Sequence, residues 1–346
     1  MLPVILFILL LGLAFGEKLY VVERERSALA VVEEGRLLKE IGNLGNLNHA
    51  VVKFWKGYGY VVSRDGFLSK IDLERDEVVK KVRVGKSSIG LDFTETYIVV
   101  ANYDPETVVI LDEGLNLLRE IKTGSRNVGI KAYGEDFLFS LMDKDQVWWI
   151  KGMEEYMRFE VGKMPFDALL YGDHYLVGFF KEDGVGLIEL NKKTYKKLSF
   201  KKKGEEVVFK IPHFGTWGVY EGLAYIPAVG EKKLYVVSLK DMELVGELTL
   251  LGLPVFVAIS PDGKYLAVNF SGDKEDYIAL IDRENGETLR ELTAGKRVMH
   301  LRFSKDGKKL FISSYFESKV RAFDVPSLNL LYEVDVPNPS GVFLAR

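Results

Sequence analysis

Four histidines are the side chains whose ordinary pKa lies nearest neutral pH, which suits them to proton transfer or metal ligation. His49, His213 and His300 lie where the chain leads into, or opens, a short apolar stretch after a glycine. Such segments make up roughly a fifth of the chain, so the grouping points to a shared site. His174 lies in a turn, where we expect it to be exposed. A structural role remains the alternative for each residue taken singly.

Other sequence signals of chemistry are scarce. The chain has no Gly-rich phosphate loop before a helix, no nucleophile elbow and no His/Cys cluster with metal-ligand spacing. It also has no cysteine, which excludes disulfides, thiol chemistry and lipidation on cysteine. We therefore expect no independent metal ion.

The elements that position the histidines are repeats with a period of about 40 residues. Eight copies of a phrase of three short apolar strands, each copy ending near a glycine, run along the chain. The clearest copies are residues 60–85, 97–124 and 265–295, and weaker copies begin near Leu19, Phe137, Tyr175, Leu223 and Leu310. A further strand follows the closing glycine. This pattern predicts an all-β fold, an eight-bladed β-propeller with four-stranded antiparallel blades.

The ends of the chain predict how the ring closes. No innermost strand precedes the first repeat, whereas residues 339–345 have the pattern of an innermost strand with no blade after it. We expect this C-terminal strand to complete blade one, since an open ring would leave an unpaired edge. Residues 17–346 then form one domain, with its only long insertion at residues 200–219.

A propeller brings the innermost strands together around its axis, so the three imidazoles should converge on the mouth of a central funnel. The same segments contain more basic residues than acidic ones, with Asp167 as the only strong carboxylate candidate, and should attract anions. Arg126, Arg297 and Trp217 are the binding candidates there. This combination suits a flat, carboxylate-bearing ligand with a central metal, such as a tetrapyrrole. Simple exposure of these charges is the alternative.

The composition fits a globular protein, with 47% hydrophobic and 28% charged residues. The formal net charge of -3 argues against a nucleic-acid partner. Abundant Lys and Glu, with Gln146 the only glutamine, favour a thermophilic source.

Residues 1–16 have the pattern of a secretory signal peptide. Their apolar run, residues 4–13, is too short to span a bilayer, and Ala14 and Gly16 suit cleavage before Glu17. The leader has no Lys or Arg, so a short membrane anchor is the alternative. We expect a periplasmic location.

A resemblance makes the ligand more specific. Residues 49–73, with Arg64-Asp65-Gly66, resemble the proximal-histidine blade of the heme d1 domain of cytochrome cd1 nitrite reductase. Residues 88–112, 224–230, 252–270, 298–307 and 339–345 are similar to the NirF family of heme d1 biosynthesis proteins. The resemblance implies that heme d1 or dihydro-heme d1 binds in the funnel, with His49 as the axial iron ligand and Arg64 on a carboxylate. His213 and His300 would then act as catalytic residues near the opposite face.

The resemblance also implies a late step of heme d1 biosynthesis, with a NirN-like protein and cytochrome cd1 nitrite reductase as partners. The chain lacks the CxxCH motif of a c-type heme domain, which argues against nitrite turnover and against oxidation of dihydro-heme d1. A non-catalytic carrier and a YVTN-type scaffold for protein binding remain alternatives, and a metal-dependent lactonase is disfavoured. The sequence does not decide whether the chain forms a homodimer.

Overall fold

The computed structural model describes residues 16–201, 217–228 and 230–345. These residues form 32 β-strands in eight four-stranded antiparallel sheets, with two short 3-10 helices at Arg24–Arg26 and Gly272–Lys274. The sheets are the blades of an eight-bladed β-propeller, which confirms the predicted fold. Each blade is given below from its innermost strand outward.

The first four blades contain the first fifteen strands and the last strand of the chain. Blade 1 consists of β32 (Pro339–Leu344), β1 (Lys18–Glu23), β2 (Ala28–Glu33) and β3 (Arg36–Ile41). Blade 2 consists of β4 (Val51–Trp55), β5 (Tyr58–Val62), β6 (Phe67–Asp72) and β7 (Glu77–Arg83). Blade 3 consists of β8 (Ser87–Phe93), β9 (Ile98–Asp104), β10 (Thr107–Leu111) and β11 (Leu117–Lys122). Blade 4 consists of β12 (Asn127–Tyr133), β13 (Asp136–Leu141), β14 (Gln146–Lys151) and β15 (Glu154–Glu160).

The last four blades follow the same order. Blade 5 consists of β16 (Pro165–Tyr171), β17 (His174–Phe179), β18 (Val185–Glu189) and β19 (Thr194–Leu198). Blade 6 consists of β20 (Gly218–Tyr220), β21 (Leu223–Ala228), β22 (Lys233–Ser238) and β23 (Glu243–Thr249). Blade 7 consists of β24 (Leu253–Ile259), β25 (Tyr265–Ser271), β26 (Tyr277–Asp282) and β27 (Thr288–Thr293). Blade 8 consists of β28 (Val298–Phe303), β29 (Lys309–Ser314), β30 (Lys319–Asp324) and β31 (Leu330–Asp335).

The C-terminal strand closes the ring, as predicted. Strand β32 pairs antiparallel with β1, opposing Leu344 to Leu19 and Val342 to Val21. This pairing supplies the innermost strand that the first repeat lacks, and so removes the free edge that β1 would otherwise present.

The hydrophobic core lies between the blades rather than at the axis. The two middle strands of each blade are buried on both faces, which is why strands such as β10, with all five residues buried, read as continuous apolar runs. Outermost strands such as β11 are mostly exposed. Because the blades pack face to face, side chains of the innermost strands, both polar and apolar, are left to face the axis.

Asp-Gly turns join the innermost strand to the second strand in blades 7 and 8. Ser260 Oγ donates to Asp262 Oδ1 at 2.7 Å, and Ser304 Oγ donates to Asp306 Oδ1 at the same distance. Gly263 and Gly307, which follow, both have a φ of +72°, in the left-handed region that glycine adopts at little cost. The repeated turn chemistry therefore has a direct structural basis.

Two predicted segments lie outside the described residues: most of the leader, residues 1–15, and most of the insertion, residues 202–216, which includes His213. Phe200 and Lys201 at the start of the insertion are held by Asp183, whose Oδ2 accepts both backbone N–H groups at 3.0 Å. None of the helices among the described residues is long and apolar enough to cross a membrane.

Candidate functional site

A cavity of about 740 Å³ runs along the propeller axis, and we call it the axial cavity. It is lined by side chains of seven innermost strands, β4, β8, β12, β16, β24, β28 and β32, and of the turns that lead into them. Its volume falls in the range of small-molecule and cofactor sites, about 300–1,000 Å³. We call the end at which the innermost strands begin the mouth.

His49 lies at the mouth, in the turn that leads into β4, and lines the axial cavity. Its φ of +57° is in the left-handed region, and Arg297, just before β28, has a φ of +58°. Both residues lie just before the innermost strand of their blade and line the axial cavity. Partial burial, followed by the positive charges of Arg64 and Arg24, lowers the pKa of His49 below its ordinary value. The imidazole is neutral at pH 7 and has a lone pair to donate.

His300 lies deeper, in β28, and is only 8% exposed. Its ring packs edge-on against Phe256, with centroids 4.6 Å apart, and its Nδ1 accepts the backbone N–H of Val342 at 3.4 Å. Burial, and to a smaller extent the charge of Arg302, lowers the pKa of His300 to about 3. Because Nδ1 accepts, the proton resides on Nε2. His300 is therefore a neutral N–H donor at pH 7, and its catalytic role stays a prediction.

The predicted arginines lie at the mouth, stacked on tyrosines. Arg64 Cζ is 4.9 Å and Arg126 Cζ 5.8 Å from the ring centroid of Tyr103. Arg126 also forms an ion pair with Asp143, with Nη2 2.8 Å from Oδ1. Arg64 and Arg126 belong to the rim outside the cavity lining.

A second stacked pair lies on another part of the rim. Arg24 Cζ is 4.8 Å and Arg297 Cζ 5.5 Å from the ring centroid of Tyr315, and both arginines line the cavity. The basic rim at the mouth therefore contains four arginines, which stack in pairs on Tyr103 and Tyr315.

Trp217 and His174 lie in surroundings that differ from those expected from the sequence. Trp217 is 8% exposed in the core between blades 5 and 6, packed with residues such as Leu176 and Phe200, and is not part of the cavity lining. Since the adjoining insertion lies outside the described residues, ligand contact by Trp217 stays a prediction. His174, expected to be exposed, is half-buried because it is the first residue of β17.

Sequence reasoning named Asp167 but missed three further charges away from the mouth. Together they form a row that we call the charged arc: Lys53, Asp92, Lys131 and Asp167. They come from the innermost strands of four consecutive blades, and Asp167 is joined by Asp92 and Glu275 as cavity-lining carboxylates. The prediction that Asp167 is the only strong carboxylate candidate was wrong. The signal was present in the sequence, because the four residues are spaced 39, 39 and 36 positions apart, close to the blade repeat.

An ion pair fixes part of the charged arc. Lys53 Nζ lies 3.1 Å from Asp92 Oδ1, while Asp92 Oδ2 accepts the Ala132 N–H at 2.7 Å. Burial raises the pKa of Asp92, but the charges of Lys53 and Lys131 and the Ala132 N–H outweigh it, so the net shift is downward. Burial lowers the pKa of Lys53 in spite of the ion pair. One carboxylate does not fully replace the solvation that Lys53 has lost.

The side chains that line the cavity can supply a single ligand to a metal that a macrocycle already holds. Across the ranges described, no three His, Cys, Asp or Glu side chains gather in a way that could hold a metal ion. A neutral imidazole at the mouth can instead supply one axial ligand to a metal whose other ligands come from its own macrocycle.

Comparisons of sequence show that the chain is similar to NirF proteins and to a dihydro-heme d1 dehydrogenase. It is 33% identical to protein NirF of Stutzerimonas stutzeri, over 95% of this chain and 92% of the relative. It is 31% identical to protein NirF of Pseudomonas aeruginosa, over 89% of this chain and 86% of the relative. Identity to the dihydro-heme d1 dehydrogenase of Pseudomonas aeruginosa is 25%, over 82% of this chain and 61% of that longer protein.

Comparisons of structure show the same fold in proteins of lower identity. The dihydro-heme d1 dehydrogenase NirN, solved in complex with DHE, superposes with a TM-score of 0.81 at 22% identity, over 94% of this chain and 75% of that one. Apo AztD from Citrobacter koseri gives a TM-score of 0.76 at 14% identity, over 95% and 97% of the two chains. The family model described as Cytochrome D1 heme domain matches residues 16–346. The chain belongs to the cytochrome D1 heme domain family.

Proposed function

We propose that this protein binds heme d1 or a late precursor of it in the axial cavity and acts in a late step of heme d1 biosynthesis. The observation that carries the proposal is the neutral imidazole of His49 at the mouth of an axial cavity of about 740 Å³, in a chain of the heme d1 domain family. The NirF relatives support the biosynthetic role.

The residues of the cavity fit a d1-type tetrapyrrole. Apolar and aromatic side chains such as Ile89, Val128 and Phe256 line its wall and can pack against the faces and edges of a flat ring. Cationic groups at the rim and at the charged arc can hold acidic substituents. When bound, the tetrapyrrole supplies an iron centre and a conjugated ring whose substituents can be altered.

The chain's own residues have distinct tasks in this proposal. His49 donates its lone pair to the iron and orients the ring, while Arg64, Arg126 and Arg297 hold carboxylates at the mouth. Because Asp143 already engages one edge of Arg126, that side chain offers fewer free donors than Arg64. His300 donates Nε2–H from an aromatic pocket, where it can hold an acceptor atom in place but stays neutral at pH 7.

The test is the visible spectrum of the purified protein with dihydro-heme d1 or heme d1. His49→Ala should lose the axial-ligand signature, and added imidazole should restore it by entering the space that the side chain left. His174→Ala is the matched control, since His174 lies outside the cavity lining and should leave the spectrum unchanged. A His49→Ala spectrum identical to that of the wild type would refute the assignment of His49.

A carrier without chemistry is the second candidate, and one observation favours it. The two histidines of the described cavity lining, His49 and His300, both have lowered pKa values, so neither is a strong acid catalyst at pH 7. Incubation with the precursor followed by product analysis separates the candidates, because a carrier returns its ligand unaltered. A YVTN-type scaffold would bind no tetrapyrrole at all.

We extend the proposal to location and partners. Residues 1–16 direct export to the periplasm, where the mature chain passes its ligand to or from a NirN-like protein and cytochrome cd1 nitrite reductase, alone or as a homodimer. The basic rim at the mouth supports docking of an acidic partner surface. N-terminal sequencing of the exported chain should begin at Glu17, and a chain that retains its leader at the membrane would favour the anchor.

A further inference from the structure

Charged side chains line the axial cavity in blades on every side, and those of the charged arc lie further along their innermost strands than the mouth, where the predicted iron ligand His49 lies. Five cationic side chains line the described part of the cavity against three carboxylates, so the cavity as a whole favours an anionic guest. Lys53, Asp92, Lys131 and Asp167 of the charged arc come from blades 2 to 5. Phe256, His300 and Phe343, from blades 7, 8 and 1, form an aromatic wall.

Both carboxylate oxygens of Asp92 have partners within the protein. Its Oδ1 holds Lys53 Nζ at 3.1 Å, and its Oδ2 accepts the Ala132 N–H at 2.7 Å. The carboxylate therefore fixes the position of the Lys53 ammonium and ties blade 2 to blade 4 through blade 3. An ammonium has three donors, and the bond to Asp92 uses one of them.

Lys131 is the less constrained ammonium of the arc. It is half-buried in the cavity wall and forms no ion pair with any carboxylate among the described residues. Its charge lowers the pKa of both Lys53 and Asp92, which places it close to their ion pair. The arc thus holds two ammonium groups and two carboxylates. Both oxygens of Asp92 already have partners, whereas the Lys131 ammonium has no ion pair among the described residues and lines a cavity with more cationic than anionic side chains.

We propose that Lys53 and Lys131 form a carboxylate subsite inside the axial cavity, which receives an acidic substituent of the bound tetrapyrrole and sets the rotation of the ring about the axis. This inference rests on the proposed function. The rim arginines hold substituents at the mouth, whereas the subsite acts inside the cavity on the side facing the aromatic wall. A ring with carboxylates on one edge then has one preferred orientation.

The subsite is tested with two probes that differ in carboxylates. Iron coproporphyrin carries four carboxylate side chains, and iron octaethylporphyrin carries none. Each probe is titrated into the wild type and into Lys131→Met. The variant should bind iron coproporphyrin about tenfold more weakly, the loss expected for one charge-assisted hydrogen bond. It should bind iron octaethylporphyrin as the wild type does, and Lys131→Arg should recover most of the affinity.

Controls separate the subsite from folding and from the proposed function. Lys122→Met removes an exposed ammonium from the outermost strand β11 and should leave both affinities unchanged. Equal affinities of wild type and Lys131→Met for iron coproporphyrin, or equal losses for both probes, would overturn the subsite. A wild type that binds neither probe nor dihydro-heme d1 would instead overturn the proposed function itself.

Discussion

Burial of His300 makes the stability of the protein depend on pH in a way that one substitution can isolate. The folded pKa of His300 is about 3, below its ordinary value of 6.5. As the pH falls below about 6.5, the unfolded chain binds a proton that the folded chain excludes, so the free energy of unfolding decreases. The loss grows by about 1.4 kcal/mol per pH unit until the folded pKa is reached.

The expected loss from this residue between about pH 7 and pH 4.5 is roughly 2 to 3 kcal/mol. His300→Phe removes the titrating group and keeps an aromatic ring between Phe256 and Phe343. The Val342 N–H then loses its acceptor, which costs about 1–3 kcal/mol at every pH and cancels when the two pH values are compared. Carboxylates titrate in both proteins and cancel as well.

The assay is urea unfolding followed by tryptophan fluorescence at the two pH values. The wild type should lose about 2 to 3 kcal/mol more than His300→Phe on acidification. His300→Asn, which keeps an acceptor for Val342, should behave like His300→Phe in its pH dependence. If all three proteins lose the same free energy, His300 titrates in the folded state as in the unfolded one, and its assignment as a neutral donor is refuted.

Two further predictions concern stability. Asp92→Asn should lower the free energy of unfolding by about 1–3 kcal/mol at pH 7, because it leaves the Lys53 ammonium without its counter-charge, and urea unfolding measures it. Asp92→Asn combined with Lys53→Met should regain most of that loss, and a double variant no more stable than the single one would contradict this reason. Removal of residues 339–346 should cost about 4 kcal/mol or more, since β32 buries Val342, Phe343 and Leu344 against blades 8, 1 and 2. It should also produce oligomers in size-exclusion chromatography through the exposed edge of β1, and a monomer with unchanged thermal stability would contradict the role of ring closure.

The fold could be predicted because local sequence patterns that repeat along the chain determine it. Strand and turn signals recur in every blade, and the unpaired first repeat required a strand that only residues 339–345 could supply. His49 could be placed at the axis for the same reason, since its position in the repeat determines its place on the ring. Repetition converts distance along the chain into position around the ring.

The parts that the sequence did not specify depend on the direction of a side chain, which the repeat does not determine. Trp217 lies in a segment near an innermost strand, but its side chain packs into the core between two blades. The low pKa of His300 comes from the contacts with Phe256 and Phe343, which lie in other blades. Lys53, Asp92 and Lys131 were overlooked because they resemble ordinary strand charges until the blade spacing aligns them with Asp167.

The central claim is that a d1-type tetrapyrrole occupies the axial cavity with His49 on its iron. A crystal structure of the protein with dihydro-heme d1 bound tests it most directly. The claim predicts the ring inside the cavity, with the iron bonded to an imidazole nitrogen of His49 and a carboxylate substituent near Lys131. A ring bound on the outside of the blades, or an iron with no contact to His49, would contradict it.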